Sequence, residues 1–330
     1  MNTRERIFTL AAAVILIVSS AGAAAHETDQ FSNRADPIAD STEPLNLKVN
    51  QAIARVAKTH RKKKSRRAIV DGLFDKLGSR FLVDRLEGWA IKSPQVEKLK
   101  TGRYDSVYSR HPIWATRVTS VFGVGETIRV NDQLVGTDKI GHFMSQGRKI
   151  YRRYLNYGSE DRAVVQAAHA EFMVFGQMSN GNFSNADLVA NFEGHRFYRS
   201  LFEDDVIPGK PAILHWEDGG WVVQRDFDWA DHVNEYWDEA LNINHFDALL
   251  YPYMLKQFVR MCPRYWENPS LYTIEDEQPL RDRYAHLGMK DNQQLRLDYL
   301  CSTDKSADSG DRPRPQAVAN ANVIKNSIDR

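Results

Sequence analysis

The 330-residue chain has only two cysteines, Cys262 and Cys301, and neither has the CxxC partner that a cysteine zinc cage or a thioredoxin-like site needs. The motifs GxSxG, HExxH, GxxxxGK(S/T) and GxGxxG are also missing, which removes most support for serine-hydrolase, zincin, P-loop and Rossmann readings. Neither sign of charge is in excess: the formal net charge is +1, which argues against general nucleic-acid binding. Long apolar runs are scarce as well. The run from Ile7 to Val18 is shorter than the roughly 20 residues that a membrane span requires.

That run follows Arg4 and Arg6 and leads to the small residues Ala23-Ala24-Ala25, the layout of a cleavable secretory signal. The expectation is a mature chain starting at His26 in the periplasm or outside the cell, with a retained anchor as the alternative. In such a compartment an even cysteine count suggests one disulfide that staples the C-terminal segment to the body. Two independent buried thiols are the other reading.

A hydrophobic content of 42% is enough for a sizeable core. The patterning predicts a mainly α-helical bundle with two short β-hairpins. After the signal (1–25), residues 26–44 are polar and read as a linker. A basic amphipathic helical segment covers 45–100, with Ile69, Val70, Leu73, Phe74, Leu77, Phe81, Leu82, Leu86 and Trp89 at helical spacing. A helical core with the hairpins covers 101–260, a disulfide-tethered segment 261–301, and a disordered tail 302–330.

Within the core, alternation predicts hairpins at Thr127–Val130/Gln133–Val135 and at Ala212–Trp216/Trp221–Arg225. Helices are expected from Thr137, as a cap, through Tyr154; from Glu160 to Met178; from Ser184 to Phe202; from Asp228 to Leu241; and from Asp247 to Arg260.

Three of these helices carry polar residues inside apolar patterns. Asp138 and His142 are four apart and share a face, as do Asp187, Asn191 and His195. Glu171 lies among Ala167, Ala168, Val174 and Phe175. A buried carboxylate must be protonated, paired or bound to a cation. The candidate catalytic set is therefore Asp138, His142, Glu171, Asp187 and Asn191. One acid would serve as general base while another orients the imidazole. His142, Glu171 and Asp187 are the candidate ligands of a divalent metal with an open position for water.

Each residue also has a plain structural explanation. Ser184 with Asp187 makes an acidic capping box, Asp138 suits a helix N-terminus, and Asn191 or Lys139 could simply pair with a neighbour. His169 and His195 fit ordinary surface or core roles. The acidic and aromatic residues from Trp216 to Trp237 fit packing better than a sugar-binding rim.

Asp138-Lys139-x-x-His142-Phe143, a later helical Glu171, and Gly181-x-x-Ser184-x-x-Asp187-Leu188-x-Ala190-Asn191-x-x-Gly194 together resemble the pattern of VanZ-like proteins and YfiM-type envelope proteins, over residues 135–200. The resemblance implies a helical core associated with the cell envelope. VanZ-like proteins carry the pattern on membrane-spanning helices, whereas here Arg148, Lys149, Arg152 and Arg153 interrupt the first helix.

Lys58 to Arg67 is almost wholly basic. An anionic membrane surface or an acidic envelope polymer would suit it as a partner; a solvated linker ahead of a core helix is the plain alternative. The functional expectation is an exported, envelope-associated protein built around a buried polar site. The alternatives are a hydrolase or transferase acting on a lipid-linked or cell-wall glycan, and a metal- or ligand-binding protein without turnover.

Overall fold

The structure is a computed structural model that describes residues 27–62, 64–80, 83–109, 111–112, 124–170 and 181–303. It is mainly α-helical with small β-hairpins, as the patterning predicts. The apolar periodicity that begins near Leu45 resolves into α1 (Thr42–Thr59), α2 (Arg66–Leu77) and α3 (Arg85–Lys92). The helices restart where side chains can satisfy free backbone donors. Ser65 Oγ accepts from Ala68 N at 3.2 Å to cap α2, and Asp84 with Glu87 forms a capping box on α3.

Residues from 27 onward were expected as a loose linker, but Thr28, Asp29, Gln30 and Phe31 are buried. Asp29 accounts for this. Its carboxylate accepts from the backbone N–H groups of Phe31, Ser32 and Val107, each at 2.9 Å. A polar stretch thereby satisfies its own backbone and places Phe31 against Phe258.

The first predicted hairpin is β1 (Thr127–Val130) with β2 (Gln133–Gly136), turning through Asn131 and Asp132, both at positive φ. β2 runs straight into a continuous helical rod: α4 (Thr137–Gly141), a π turn (His142–Gln146) and α5 (Gly147–Tyr157). Gly136 occupies the cap without a side-chain bond, so Thr137 is the first helical residue and not the cap. α6 (Glu160–Ala170) follows; its expected extension to Met178, including Glu171, lies outside the described residues.

β3 (Asn182–Phe183) precedes α7 (Asn185–Ser200). The second predicted hairpin is β4 (Leu214–Glu217) with β5 (Gly220–Val223). The expected helix from Asp228 to Leu241 is replaced by two short 3-10 turns, Trp229–Asp231 and Glu235–Trp237. Asp228, Asn234 and Asp238 each accept from the N–H two residues on, at 3.1, 3.1 and 2.9 Å. These Asx turns compete with the helix and win. Trp229 and Trp237 are buried against Phe143, so they serve the core.

β6 (His245–Phe246) pairs with β3, far away in sequence. α8 (Tyr251–Glu267) starts later than expected, because Asp247 uses its carboxylate on the turn ahead of it, accepting from Leu249 N and Leu250 N. α9 (Gln278–Tyr284) and α10 (Leu297–Thr303) complete the described chain. A disulfide joins Cys262 on α8 to Cys301 on α10, a constraint of about 2–4 kcal/mol. It lies in a second core with Phe31, Met254, Phe258 and Leu297. No described helix is long and apolar enough to cross a membrane.

The rod and α7 cross with their backbones in contact. A Cβ on Gly147 would meet Gly194 Cα at 2.5 Å, and one on Gly194 would overlap the Phe143 carbonyl. Beside the crossing, fully buried Phe143 packs on Phe197 at 5.3 Å and Trp229 at 4.7 Å. Gly194→Ala should therefore cost about 2 kcal/mol or more in chemical denaturation, through overpacking. An unchanged midpoint would show that the helices can separate freely here.

Candidate functional site

Three segments meet below this crossing. The first turn of α4 supplies Asp138 and Lys139, and the π turn supplies His142. The first two turns of α7 supply Asp187 and Asn191, and the irregular stretch after Trp237 supplies Glu239. Single π turns inside α-helices are frequent at functional sites.

Lys139 is 1% exposed, and its Nζ lies 2.7 Å from Asp138 Oδ2, Asp187 Oδ1 and Glu239 Oε1. Burial works to lower the lysine's pKa, but the attraction of Asp138, Asp187 and Glu239 outweighs it and holds the pKa well above the usual range. Ser184 Oγ accepts from Asp187 N at 3.1 Å and donates to Glu239 Oε1 at 2.9 Å. The serine is thus both a helix cap and part of the network.

His142 Nδ1 lies 3.0 Å from the amide oxygen of Asn191, and Nε2 lies 3.4 Å from Asp187 Oδ2. An amide oxygen only accepts, so Nδ1 carries a proton and the lone pair of a neutral ring is on Nε2. That lone pair faces a carboxylate oxygen, and two acceptors so placed need a proton or a cation between them. Ligand atoms of Asp138, His142 and Asp187 all lie within 4.8 Å of one another. Asp138 Oδ1 is buried without a hydrogen-bond partner. With the three acids ionised, one ammonium leaves two negative charges uncompensated, and a divalent ion would cancel them.

Asp138, His142 and Asp187 would be the residues to hold such an ion.

Further acids surround this centre. Burial first, and then the charge of Asp138, push Glu87 up to about 8. Burial pushes Asp84 up to about 6, although Ser145 donates to it at 2.7 Å. Burial, then Glu239, push Glu27 up to about 8 against the opposing pull of Lys139, while Asn182 donates to Glu27 Oε2 at 2.7 Å.

The structure thus brings together Asp138, His142, Asp187 and Asn191. Glu171 lies outside the described residues, and so does the side chain of His169. Of the expected metal set, His142 and Asp187 converge, and Asp138 completes a group of three that could hold an ion. His195 points elsewhere: fully buried, it pairs with Glu160 at 3.0 Å and belongs to the core. Sequence reasoning took Lys139 for an incidental partner and missed Glu239, Glu27, Asp84 and Glu87. A lysine directly after the motif aspartate, itself bound for burial, was the available signal for a larger acidic group.

No family model matches the chain, and no curated protein and no solved structure shows significant similarity to it.

Lys139→Met would strand the buried Asp138 and Glu239 and the partly buried Asp187, and should cost about 3–5 kcal/mol at neutral pH in chemical denaturation. Equal stability at neutral pH would mean that the ammonium does not hold these segments together. Glu27 and Glu87 titrate near 8 when folded, against an ordinary 4.5. The folded state therefore holds more protons between those values. In metal-free protein, stability should fall as pH rises from about 4.5 to about 8. Glu27→Gln or Glu87→Gln should flatten that slope in melting curves; an unaltered slope would contradict the assignment.

Proposed function

We propose that the protein is an exported, envelope-associated hydrolase or transferase that acts on a lipid-linked or cell-wall glycan through a divalent-metal centre at Asp138, His142 and Asp187. The observation that carries this reading is the arrangement of His142. Asn191 holds one ring nitrogen while the other faces the Asp187 carboxylate, beside three carboxyl groups that share a single ammonium. The secretory-type leader and the resemblance to VanZ-like envelope proteins support the compartment.

In this reading Asp138, His142 and Asp187 bind the ion, and Asn191 fixes the ring as an outer-sphere partner. Lys139 turns the two aspartates by holding one oxygen of each. Glu87 and Glu27, which burial raises above the usual carboxylate range, would be the candidate proton donors. The bound ion would supply an acidic water and polarise the scissile bond.

A second reading is favoured by Lys139, whose buried ammonium already ties three segments together. There the group is a non-catalytic network within an envelope scaffold.

Asp187→Asn and His142→Ala separate the two. If the centre is catalytic, hydrolysis of a polyprenyl-linked or cell-wall glycan by the processed protein should fall by about 10²–10⁴. Chelator should do the same, divalent metal should restore the wild type, and the variants should melt no lower than the metal-free wild type. If both variants instead lose a kcal/mol or more of stability and metal has no effect, the scaffold reading holds.

A further inference from the structure

The basic run spans the end of α1, the turn after it and the start of α2, which Ser65 caps; Lys63 lies outside the described residues. Lys58, Arg61, Lys62, Lys64, Arg66 and Arg67 are all exposed. Among the described residues, only Arg67 of these six has an ion-pair partner, Asp71 at 3.6 Å. Unpaired cations this dense repel one another, so they raise the free energy of the isolated protein and favour an anionic partner.

The fold sets this turn against the second hairpin. The Arg61 stem lies on Gly220, its Cγ 2.9 Å from where a Cβ would be. The Arg66 guanidinium sits over the Phe202 ring at 5.4 Å, and Phe202 packs on Trp221 at 5.3 Å. On β5, Val222 and Val223 are 40% and 36% exposed. The carboxylates nearby are Asp71, shared by Arg67 and Arg148, Glu203, paired with Arg199, Glu217, paired with His215, and Asp218 at the hairpin tip. The six cations outnumber them.

We propose that the α1–α2 turn and the β4–β5 hairpin form one membrane-contact surface that seats the protein on a bilayer rich in anionic phospholipid. The cations meet headgroup phosphates, and the unpaired edge of β5 enters the interfacial layer, with Val222 on one face of the strand and Val223 on the other. A soluble polyanion would satisfy the charges but leave the two valines in water, so the combination favours a lipid surface. This goes beyond the proposed chemistry and does not depend on it.

Vesicle co-sedimentation of the processed chain tests the surface, using phosphatidylcholine with and without phosphatidylglycerol. Binding should require phosphatidylglycerol and weaken steeply with salt. The triple change Arg61→Glu, Lys62→Glu, Lys64→Glu should weaken it by about a hundredfold or more. Val222→Thr with Val223→Thr should weaken it severalfold with little change in the melting curve, since threonine keeps the β-branched shape of these half-exposed side chains. Absence of binding, or equal binding to both vesicle types, would overturn the proposal. So would retention on a soluble polyanion that ignores the valine changes while vesicles are not bound.

Discussion

An ammonium group buried to 1% exposure is tolerable only where carboxylates replace the water it has lost, and Lys139 recruits three, each at 2.7 Å. Asp138 is its chain neighbour, Asp187 comes from the start of α7, and Glu239 comes from an irregular segment a hundred residues downstream. One ion-pair group thus fastens three stretches of chain that have no strand or helix in common. It also sets the direction of the acids. Asp138 and Asp187 each give one oxygen to the ammonium and keep the other, and for Asp187 that second oxygen faces His142.

The position of His142 has a separate origin. It opens a π turn just ahead of the contact between Gly147 and Gly194, where no side chain fits between the helices. The next residue, Phe143, is enclosed by Phe197, Trp229 and Trp237. The imidazole therefore stands on backbone that cannot shift without opening the aromatic core. A rigid ring and acids oriented by an ammonium are what a metal or acid–base centre requires before substrate arrives.

Much of this was legible in the sequence. Spacings of four placed Asp138 with His142 and Asp187 with Asn191, and turn chemistry located both hairpins and the Ser184 cap. The helix expected from Asp228 failed because Asp228, Asn234 and Asp238 bond to backbone two residues on, a choice that apolar periodicity does not register. That same misreading hid Glu239, which reaches Lys139 only from an irregular segment. Glu87 was hidden differently, because a capping box already explains an acid at that position. Glu27 fell in a polar stretch whose burial depends on Asp29 finding Val107 far along the chain. Long-range partners of this kind leave no local periodicity to read.

Cobalt(II) titration of the purified, metal-stripped protein tests the site most directly, because the ion's visible spectrum reports coordination number as well as binding. One equivalent should bind with the intense bands of a four-coordinate nitrogen–oxygen site, and His142→Ala and Asp187→Asn should each abolish them. If no stoichiometric binding occurs, or if the bands survive both substitutions, then Asp138, His142 and Asp187 are not a metal centre and the polar group serves the fold alone.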